Sequence, residues 1–227
     1  MSQRALILSG GVGHPFEATS AQVVELLAEI GITAVIDDDL EAALDDLAAT
    51  PVDLLVVNAL RWRMEAERYA RLRDEWAFSL SSAGREAIED HLRAGRPLLA
   101  LHTAAICFDD WPRWGEIVGA AWNWERSFHP PLGEVEIAVA TDQHAITADL
   151  RDFRIVDEVY GFMDVADDVE PLAWGTHSDH QHPLLWAREV DSARVVYDAL
   201  GHDQRSFDHP QHREIIRRSV RWLLGEL

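Results

Sequence analysis

Short apolar runs alternate with segments of helical periodicity along the first half of the chain. Residues 5–8 are all apolar and are followed by a glycine-rich loop, which is typical of a strand buried on both faces of a parallel sheet. Apolar positions within 23–30 then repeat at helical spacing, and Gly31 marks the end of that helix. Thr19 and Ser20 are the candidates for capping its early turns.

The same unit of strand and helix recurs up to His102. The further elements that the pattern predicts here are strands at 32–36, 52–57 and 97–101 and helices at 40–49 and 82–93. Ser81 or Ser82 caps the last of these helices and Gly95 ends it, while residues 64–76 form a polar and aromatic stretch that could also be helical. Strands joined by helices predict right-handed crossovers in a parallel sheet.

The pattern changes to alternating apolar and polar residues from Gly133 onward, and this period of two predicts antiparallel strands. Further short strands are predicted at 169–174, 184–186 and 195–197. A helix over 210–224, opened by Asp208, closes the chain. Together the two halves predict an α/β fold, a mixed sheet in three layers within one domain of residues 1–227.

Charge and cysteine content limit the kinds of binding partner and the cellular compartment to be expected. Forty acidic against twenty basic residues give a formal charge of -20, which repels phosphate backbones and anionic lipid headgroups. We therefore expect no nucleic acid or membrane partner, although the acidity equally suits plain solubility. The one cysteine, Cys107, excludes an internal disulfide and suits a reducing compartment, so we expect a cytoplasmic protein.

The pentapeptide from Ala100 to Ala104, centred on His102, is the most informative motif. A tight turn from strand to helix strains its central residue and needs small neighbours, a demand that the two alanines meet. Histidine stands where hydrolases with this elbow have a serine, so no Ser or Cys nucleophile is expected here. An exposed imidazole at the carboxyl end of a central strand can act as an acid or base, or bind a metal. The alternative is a histidine that merely hydrogen-bonds a loop.

The loops that carry His14, His129 and His202 should reach the same edge of the sheet, so that these histidines could converge with His102. If a metal is bound, Zn or Fe suits a set made of His102, His129, His202 and Asp203. The loop of residues 10–14 that ends in His14 also resembles a dinucleotide loop, but Phe16 takes the place of its third glycine, so no nucleotide cofactor is expected.

Two polar segments and the tryptophans complete the candidates. Residues 177–182 hold three histidines but lie between two strands, and we interpret them as a solvated hairpin loop rather than a metal tract. Asp157, Glu158 and Tyr160 could supply a general base and ligand hydrogen bonds, although an exposed strand face explains them nearly as well. Four tryptophans follow His102 closely and suit sugar faces, a core or a dimer interface: Trp111, Trp114, Trp122 and Trp124.

Taken in order, these motifs resemble the ThuA-like family of trehalose utilisation, which has a glutamine-amidotransferase-like fold. The resemblance spans nearly the whole chain. The segments that carry it are His14 after the first strand, 101–104, 128–130, 157–160, 183–186 and 194–202. It implies a flavodoxin-like sheet in which a histidine replaces the amidotransferase cysteine, so that glutaminase activity is not expected. It also implies a role in the breakdown of trehalose or related disaccharides, near their 3-keto forms.

With the resemblance added, the first hypothesis is an enzyme of carbohydrate breakdown whose class stays open between hydrolase, lyase and isomerase. His102 would be the acid or base and Glu158 or Asp157 its partner. The residues expected to bind substrate are His14, His129, Tyr160 and His202. The alternatives are a non-catalytic sugar-binding or regulatory module, and a subunit whose tryptophans bind another chain. A homo-oligomer is expected in each case.

Overall fold

Eleven strands and seven α-helices are formed by residues 2–227, the part of the chain that this computed structural model describes. The strands are β1 (Arg4–Gly11), β2 (Thr33–Asp37), β3 (Leu54–Leu60), β4 (Leu98–Leu101), β5 (Ala120–Ala121), β6 (Gly133–Val139), β7 (Phe153–Asp157), β8 (Asp164–Val165), β9 (Pro171–His177), β10 (His180–Val190) and β11 (Ala193–Asp198). The helices are α1 (Phe16–Glu29), α2 (Leu40–Ala49), α3 (Ala70–Trp76), α4 (Ser82–Arg93), α5 (Pro112–Val118), α6 (Gln204–Asp208) and α7 (Pro210–Leu223).

Nine of the strands form one mixed sheet in the order β2-β1-β3-β4-β11-β10-β9-β6-β7. The first five in that order run parallel to one another, and the pairs from β11 through β7 are antiparallel. β5 and β8 form a separate two-stranded pair. The predicted α/β fold, with a parallel first half and an antiparallel second half, is confirmed.

The centre of the sheet is apolar on both faces because helices cover both. All seven residues of β3 are buried, as are all four of β4. α1, α6 and α7 pack together against one side of the sheet, and α2 packs with α4 in the other layer. None of the described helices combines the length and the apolar character that crossing a bilayer requires.

Thr19 and Ser20 do not cap α1, contrary to the sequence expectation. The helix begins at Phe16, so both residues already lie past its first turn, where free N–H groups are found. They are buried instead in a polar cluster, in which Asn58 donates hydrogen bonds to both hydroxyls at 3.0 and 2.9 Å. Ser9 lies 2.7 Å from Ser20 and links β1 to this cluster.

Three other local expectations change. Asp208 ends the short helix α6, which was not predicted, and the N-cap of α7 is His209, whose side chain makes no capping hydrogen bond. The hairpin at 177–182 is confirmed, with a two-residue turn between β9 and β10, but it is not fully solvated. His182 is buried because its ring packs 4.9 Å from that of Phe162.

The antiparallel half of the sheet curls back toward the parallel half. Three strands separate β7 from β11, and at strand spacings of about 4.8 Å a flat sheet would hold them roughly 19 Å apart. Asp157 at the end of β7 nevertheless accepts a hydrogen bond of 2.8 Å from the backbone of Gly201, just after β11. The curl therefore brings the carboxyl end of β7 beside those of β4 and β11.

Candidate functional site

His102 begins a tight turn directly after β4, with φ of 43°, a left-handed conformation that is uncommon outside glycine. Side chains from neighbouring strands hold this elbow in place. The Tyr197 hydroxyl donates a 2.7 Å hydrogen bond to the carbonyl of His102, and Thr103 donates one of 2.6 Å to the carbonyl of Ala59. The strained elbow that the sequence predicts is present and braced.

The expectation that His102 is exposed is wrong, since only 1% of the residue is accessible. The imidazoles of His14 and His202 and the phenol ring of Tyr160 cover it, with ring centroids 5.0, 5.6 and 4.7 Å away. The position at the carboxyl edge of the sheet was predicted correctly, but the side chains that converge on that edge enclose the ring.

Two hydrogen bonds orient the His102 ring. Its Nδ1 lies 2.7 Å from the carbonyl oxygen of Ala199, which can only accept, so Nδ1 carries the proton of the neutral ring. Nε2 then presents a lone pair, and the Tyr160 hydroxyl donates to it at 3.1 Å. Burial lowers the pKa of His102 to about 4, so the ring is neutral at physiological pH.

His14, on the loop after β1, points its own Nε2 at the same place. The two Nε2 atoms are 3.2 Å apart, and Nδ1 of His14 lies 3.4 Å from the carbonyl oxygen of Val12. Burial lowers the pKa of His14 to about 3, with the nearby His102 adding to the effect. Both imidazoles are therefore neutral at physiological pH.

Glu158, immediately after β7, is the anionic member of the group. Its Oε1 lies 3.0 Å from Nδ1 of His129, and its Oε2 lies 3.3 Å from Nδ1 of His202 and 3.7 Å from Nε2 of His102. Burial alone would raise the pKa of Glu158, but the adjacent imidazoles outweigh it and hold that pKa low. The same carboxylate raises the pKa values of His129 and His202.

Four side chains bring possible ligand atoms within 4.8 Å of one another: His14, His102, Glu158 and His202. This group, which we call the His–Glu cluster, differs from the metal set expected from the sequence. Asp203 is outside it because its carboxylate caps α6 and binds Arg205. His129 is also outside it and touches the cluster only through Glu158.

Asp157 has a positioning role in the structure. Its oxygens accept hydrogen bonds from the backbone N–H groups of Glu158, Gly201 and His202 at 2.8, 2.8 and 3.3 Å. Burial raises the pKa of this carboxyl group. These bonds join the ends of β7 and β11 and so set the positions of Glu158 and His202.

A cavity of about 560 Å³ opens beside the His–Glu cluster, and its walls combine polar and aromatic groups. Among its lining side chains are His14, Trp62, Tyr69, Trp122, Trp124, His129 and Tyr160. A second cavity of about 440 Å³ shares Trp62, Arg68, Tyr69 and Trp124 with the first. The rings of Trp62 and Trp124 stack at 5.9 Å between centroids.

The four tryptophans after His102 divide between core and cavity. Trp111 and Trp114 are buried, and Nε1 of Trp114 donates to the carbonyl of Ala104 in the elbow. Trp122 and Trp124 line the cavity. Trp62 and Tyr69 belong to the polar and aromatic stretch after β3, to which the sequence pattern assigned no binding role.

The family model for ThuA, described as trehalose utilisation, matches residues 4–223. This chain belongs to the ThuA family. Membership supports a carbohydrate-related role, and the resemblance inferred from the motifs is confirmed. Among curated proteins, nothing matches the sequence.

Solved structures show that the ThuA fold is shared along the whole chain. A ThuA-like protein from Parabacteroides merdae has 16% identity and a TM-score of 0.79, covering 100% of this chain and 92% of that one. A ThuA-like protein from Bacteroides uniformis has 18% identity and a TM-score of 0.70, covering 97% and 91%. A cytoplasmic protein from Salmonella typhimurium has 11% identity and a TM-score of 0.63, covering 97% and 98%. At these identities the likeness concerns the fold alone.

Proposed function

We propose that this ThuA-family protein is an enzyme of carbohydrate breakdown that acts on a trehalose-type disaccharide or its 3-keto derivative, with His102 as acid or base. The observation that carries the proposal is an aromatic cavity whose wall includes His14 of the His–Glu cluster and Tyr160, the hydrogen-bond partner of His102. Trp62, Trp122 and Trp124 offer flat apolar surfaces that suit the C–H faces of sugars, and His129 and Tyr160 offer polar groups from the same walls.

The size of the cavities also suits a disaccharide. The cavity of about 560 Å³ lies within the usual range of small-molecule sites, and the adjoining one of about 440 Å³ shares its aromatic wall. One sugar ring would occupy the space beside His14 and His129, and the second would extend along Trp62 and Trp124.

A keto sugar suits the proton-transfer groups of the site. The hydrogen on the carbon beside a ketone is acidic, and its removal needs a base and a donor for the oxygen that becomes negative. In the proposed step the C–H bond breaks and its electron pair forms the enolate. The proton passes to the Tyr160 oxygen, which lines the cavity, while the Tyr160 hydroxyl proton passes to Nε2 of His102. His129 donates a hydrogen bond to the enolate oxygen, and no oxidant is consumed.

Product analysis of purified protein tests the proposal. Wild type, His102→Ala and His180→Ala would be incubated with trehalose, related disaccharides and their 3-keto derivatives, and products identified by mass spectrometry and NMR. His180 is the matched control, since it is an exposed histidine outside the cluster. We expect turnover by wild type and His180→Ala and a loss of at least about 100-fold in His102→Ala. Sugar binding without turnover would instead support a non-catalytic module.

We place this activity in the cytoplasm. Cys107 is a free, buried thiol, which suits a reducing compartment, and the similar Salmonella protein is described as cytoplasmic. The homo-oligomer and the exclusion of nucleic acid and membrane partners stay predictions from the sequence.

A further inference from the structure

Two buried polar atoms of the His–Glu cluster lack a hydrogen-bond partner. They are Oε2 of Glu158 and Nδ1 of His202, which lie 3.3 Å apart without the angle of a hydrogen bond. Only 6% of the Glu158 side chain is accessible, so water does not readily solvate its free oxygen. An unpaired buried carboxylate oxygen is costly, and such an atom in a folded protein needs an explanation.

The histidine tautomers create the same problem at the centre of the cluster. Nδ1 of His102 and Nδ1 of His14 both face backbone carbonyls, which only accept hydrogen bonds. Both neutral rings therefore present lone pairs at Nε2, and these two atoms are 3.2 Å apart. The Tyr160 hydroxyl donates to that of His102, while the lone pair of His14 faces another acceptor. One added proton would serve that pair alone and would leave Glu158 and His202 unsatisfied. A cation bound by all four atoms satisfies every one of them.

The distances fit a transition-metal ion. Bonds of about 2.0–2.2 Å to a tetrahedral ion place neighbouring ligand atoms roughly 3.3–3.6 Å apart. Three of the six separations in the structure are near these values: 3.2 Å between the Nε2 atoms of His14 and His102, 3.3 Å between His202 and Glu158, and 3.7 Å between His102 and Glu158. All the ligand atoms lie within 4.8 Å of one another.

We propose that His14 Nε2, His102 Nε2, His202 Nδ1 and Glu158 Oε2 bind one divalent transition-metal ion. Three imidazoles and one carboxylate form a donor set that suits Zn²⁺ and Fe²⁺ and disfavours Mg²⁺ and Ca²⁺, which prefer oxygen ligands.

A second layer of contacts already fixes these ligands. The carbonyl of Ala199 sets the tautomer of His102, and His129 holds the other oxygen of Glu158 at 3.0 Å. Asp157 fixes the backbone on which His202 sits. Ligating histidines and carboxylates in metalloproteins are supported in this way, because the support aims the donor atom and raises its basicity.

This inference rests on the proposed function only in assigning the reaction to the same cluster, and it alters one step of that reaction. A bound cation would engage Nε2 of His102, and it would supply Lewis-acid chemistry by polarising the ketone of the sugar and lowering the pKa of a water molecule. Tyr160, 3.1 Å from Nε2 of His102, would then be free to donate to an oxygen of the substrate rather than to the ring.

Metal binding can be measured without any substrate. Protein purified without affinity histidines would be analysed for metal by mass spectrometry, then stripped with chelator and titrated with Zn²⁺ by calorimetry and with Co²⁺ by visible absorption. The variants are His14→Ala, His202→Ala and Glu158→Gln, with His180→Ala as the control for binding at an exposed histidine. His202 is partly exposed, so its replacement retains a folded chain, which a melting curve would verify.

We expect one Zn²⁺ per chain in wild type and His180→Ala and affinity at least about tenfold weaker in each cluster variant. Absence of Zn²⁺ and Co²⁺ binding by folded, stripped wild type would overturn the metal site, as would binding that the cluster variants leave unchanged. Stoichiometric metal without turnover of any sugar would support the metal site and count against the proposed function. Turnover by metal-free protein that is lost in His102→Ala would support the proposed function and count against the metal site.

Discussion

The Nε2 atoms of His14 and His102 lie 3.2 Å apart, although 88 residues separate the two histidines in the sequence. The rings meet because β1 and β4 lie on either side of β3 and all three strands end at the same edge of the sheet. Each ring is aimed by its own Nδ1 and a backbone carbonyl, so the fold places the two lone pairs facing each other. Such convergence indicates a site built for a cation or for proton transfer.

Deleting one atom removes the hydrogen bond between Tyr197 and the carbonyl of His102. Tyr197→Phe deletes the hydroxyl that donates to the carbonyl of His102, and we expect the free energy of unfolding to fall by about 1–3 kcal/mol because a buried acceptor loses its donor. Urea unfolding followed by circular dichroism measures the change. Tyr69→Phe is the matched control, since within residues 2–227 its hydroxyl makes no hydrogen bond. Equal losses in both variants would contradict a brace at Tyr197.

Cys107 should be chemically inert in the folded protein. Its thiol is buried and donates to the carbonyl of Ala59, and burial raises the pKa of Cys107 to about 12, so the reactive thiolate is scarce. We expect no alkylation by iodoacetamide over a period that labels the urea-unfolded chain completely, as measured by intact mass. Labelling of the folded protein at a similar rate would show that the thiol is accessible.

The parts of this fold that could be predicted from sequence are those set by local spacing. α2 and α4 have the bounds that their apolar periodicity indicates, and Ser81 caps α4 as expected. The elbow at His102 follows from small neighbours and the end of an apolar strand. These features depend on residues within a few positions of one another, which is the range over which helix caps and strand alternation act.

The buried ion pair of His212 and Asp198 gives the stability a defined pH dependence. Burial alone would lower the pKa of His212, but Asp198, 3.1 Å away, outweighs it and raises that pKa. The stabilisation is therefore complete below the unfolded value of about 6.5 and is lost as pH rises through the higher folded value. We expect His212→Gln to cost about 3–5 kcal/mol at low pH and less at higher pH.

Denaturant unfolding of wild type and variants from about pH 4 to about pH 10 measures this difference. His91 provides the opposite control, since burial lowers the pKa of His91 to about 4. The stability difference for His91→Gln should stay flat at alkaline pH and shrink only as pH falls below about 6.5. A His212→Gln difference that is equally flat above neutral pH would mean that His212 is not charged in the folded state.

The aromatic wall should contribute to sugar affinity. Trp62→Ala and Trp124→Ala each remove an apolar face shared by the two cavities, and we expect each to weaken binding by about 1 kcal/mol, a factor of about five. Calorimetry with the best-bound disaccharide measures the loss. Trp222→Ala is the control, because Trp222 packs against Arg194 and His144 and lines neither cavity. Unchanged affinity in both cavity variants would place the sugar elsewhere.

The meeting of His14, His102 and His202 was predicted from the sequence, whereas Glu158 as the carboxylate beside them was not, for a physical reason. Glu158 reaches His202 only because the sheet curls enough to bring β7 back beside β11, and local patterns carry no information on that curl. The same closure buries His102, which was expected to be exposed. Asp203 follows His202 directly and was a reasonable ligand by spacing, but the start of α6 takes its carboxylate as a cap.

Hydrogen exchange of a 3-keto disaccharide in D₂O tests most directly whether this cluster moves protons on a sugar. Proton NMR would follow the signal of the hydrogen beside the ketone in the presence of wild type, His102→Ala or His180→Ala. We predict loss of that signal with wild type and with His180→Ala at rates at least about 100-fold above those with His102→Ala. Exchange that is equally fast with His102→Ala, or no faster with wild type than in buffer, would contradict a proton-transfer role for His102.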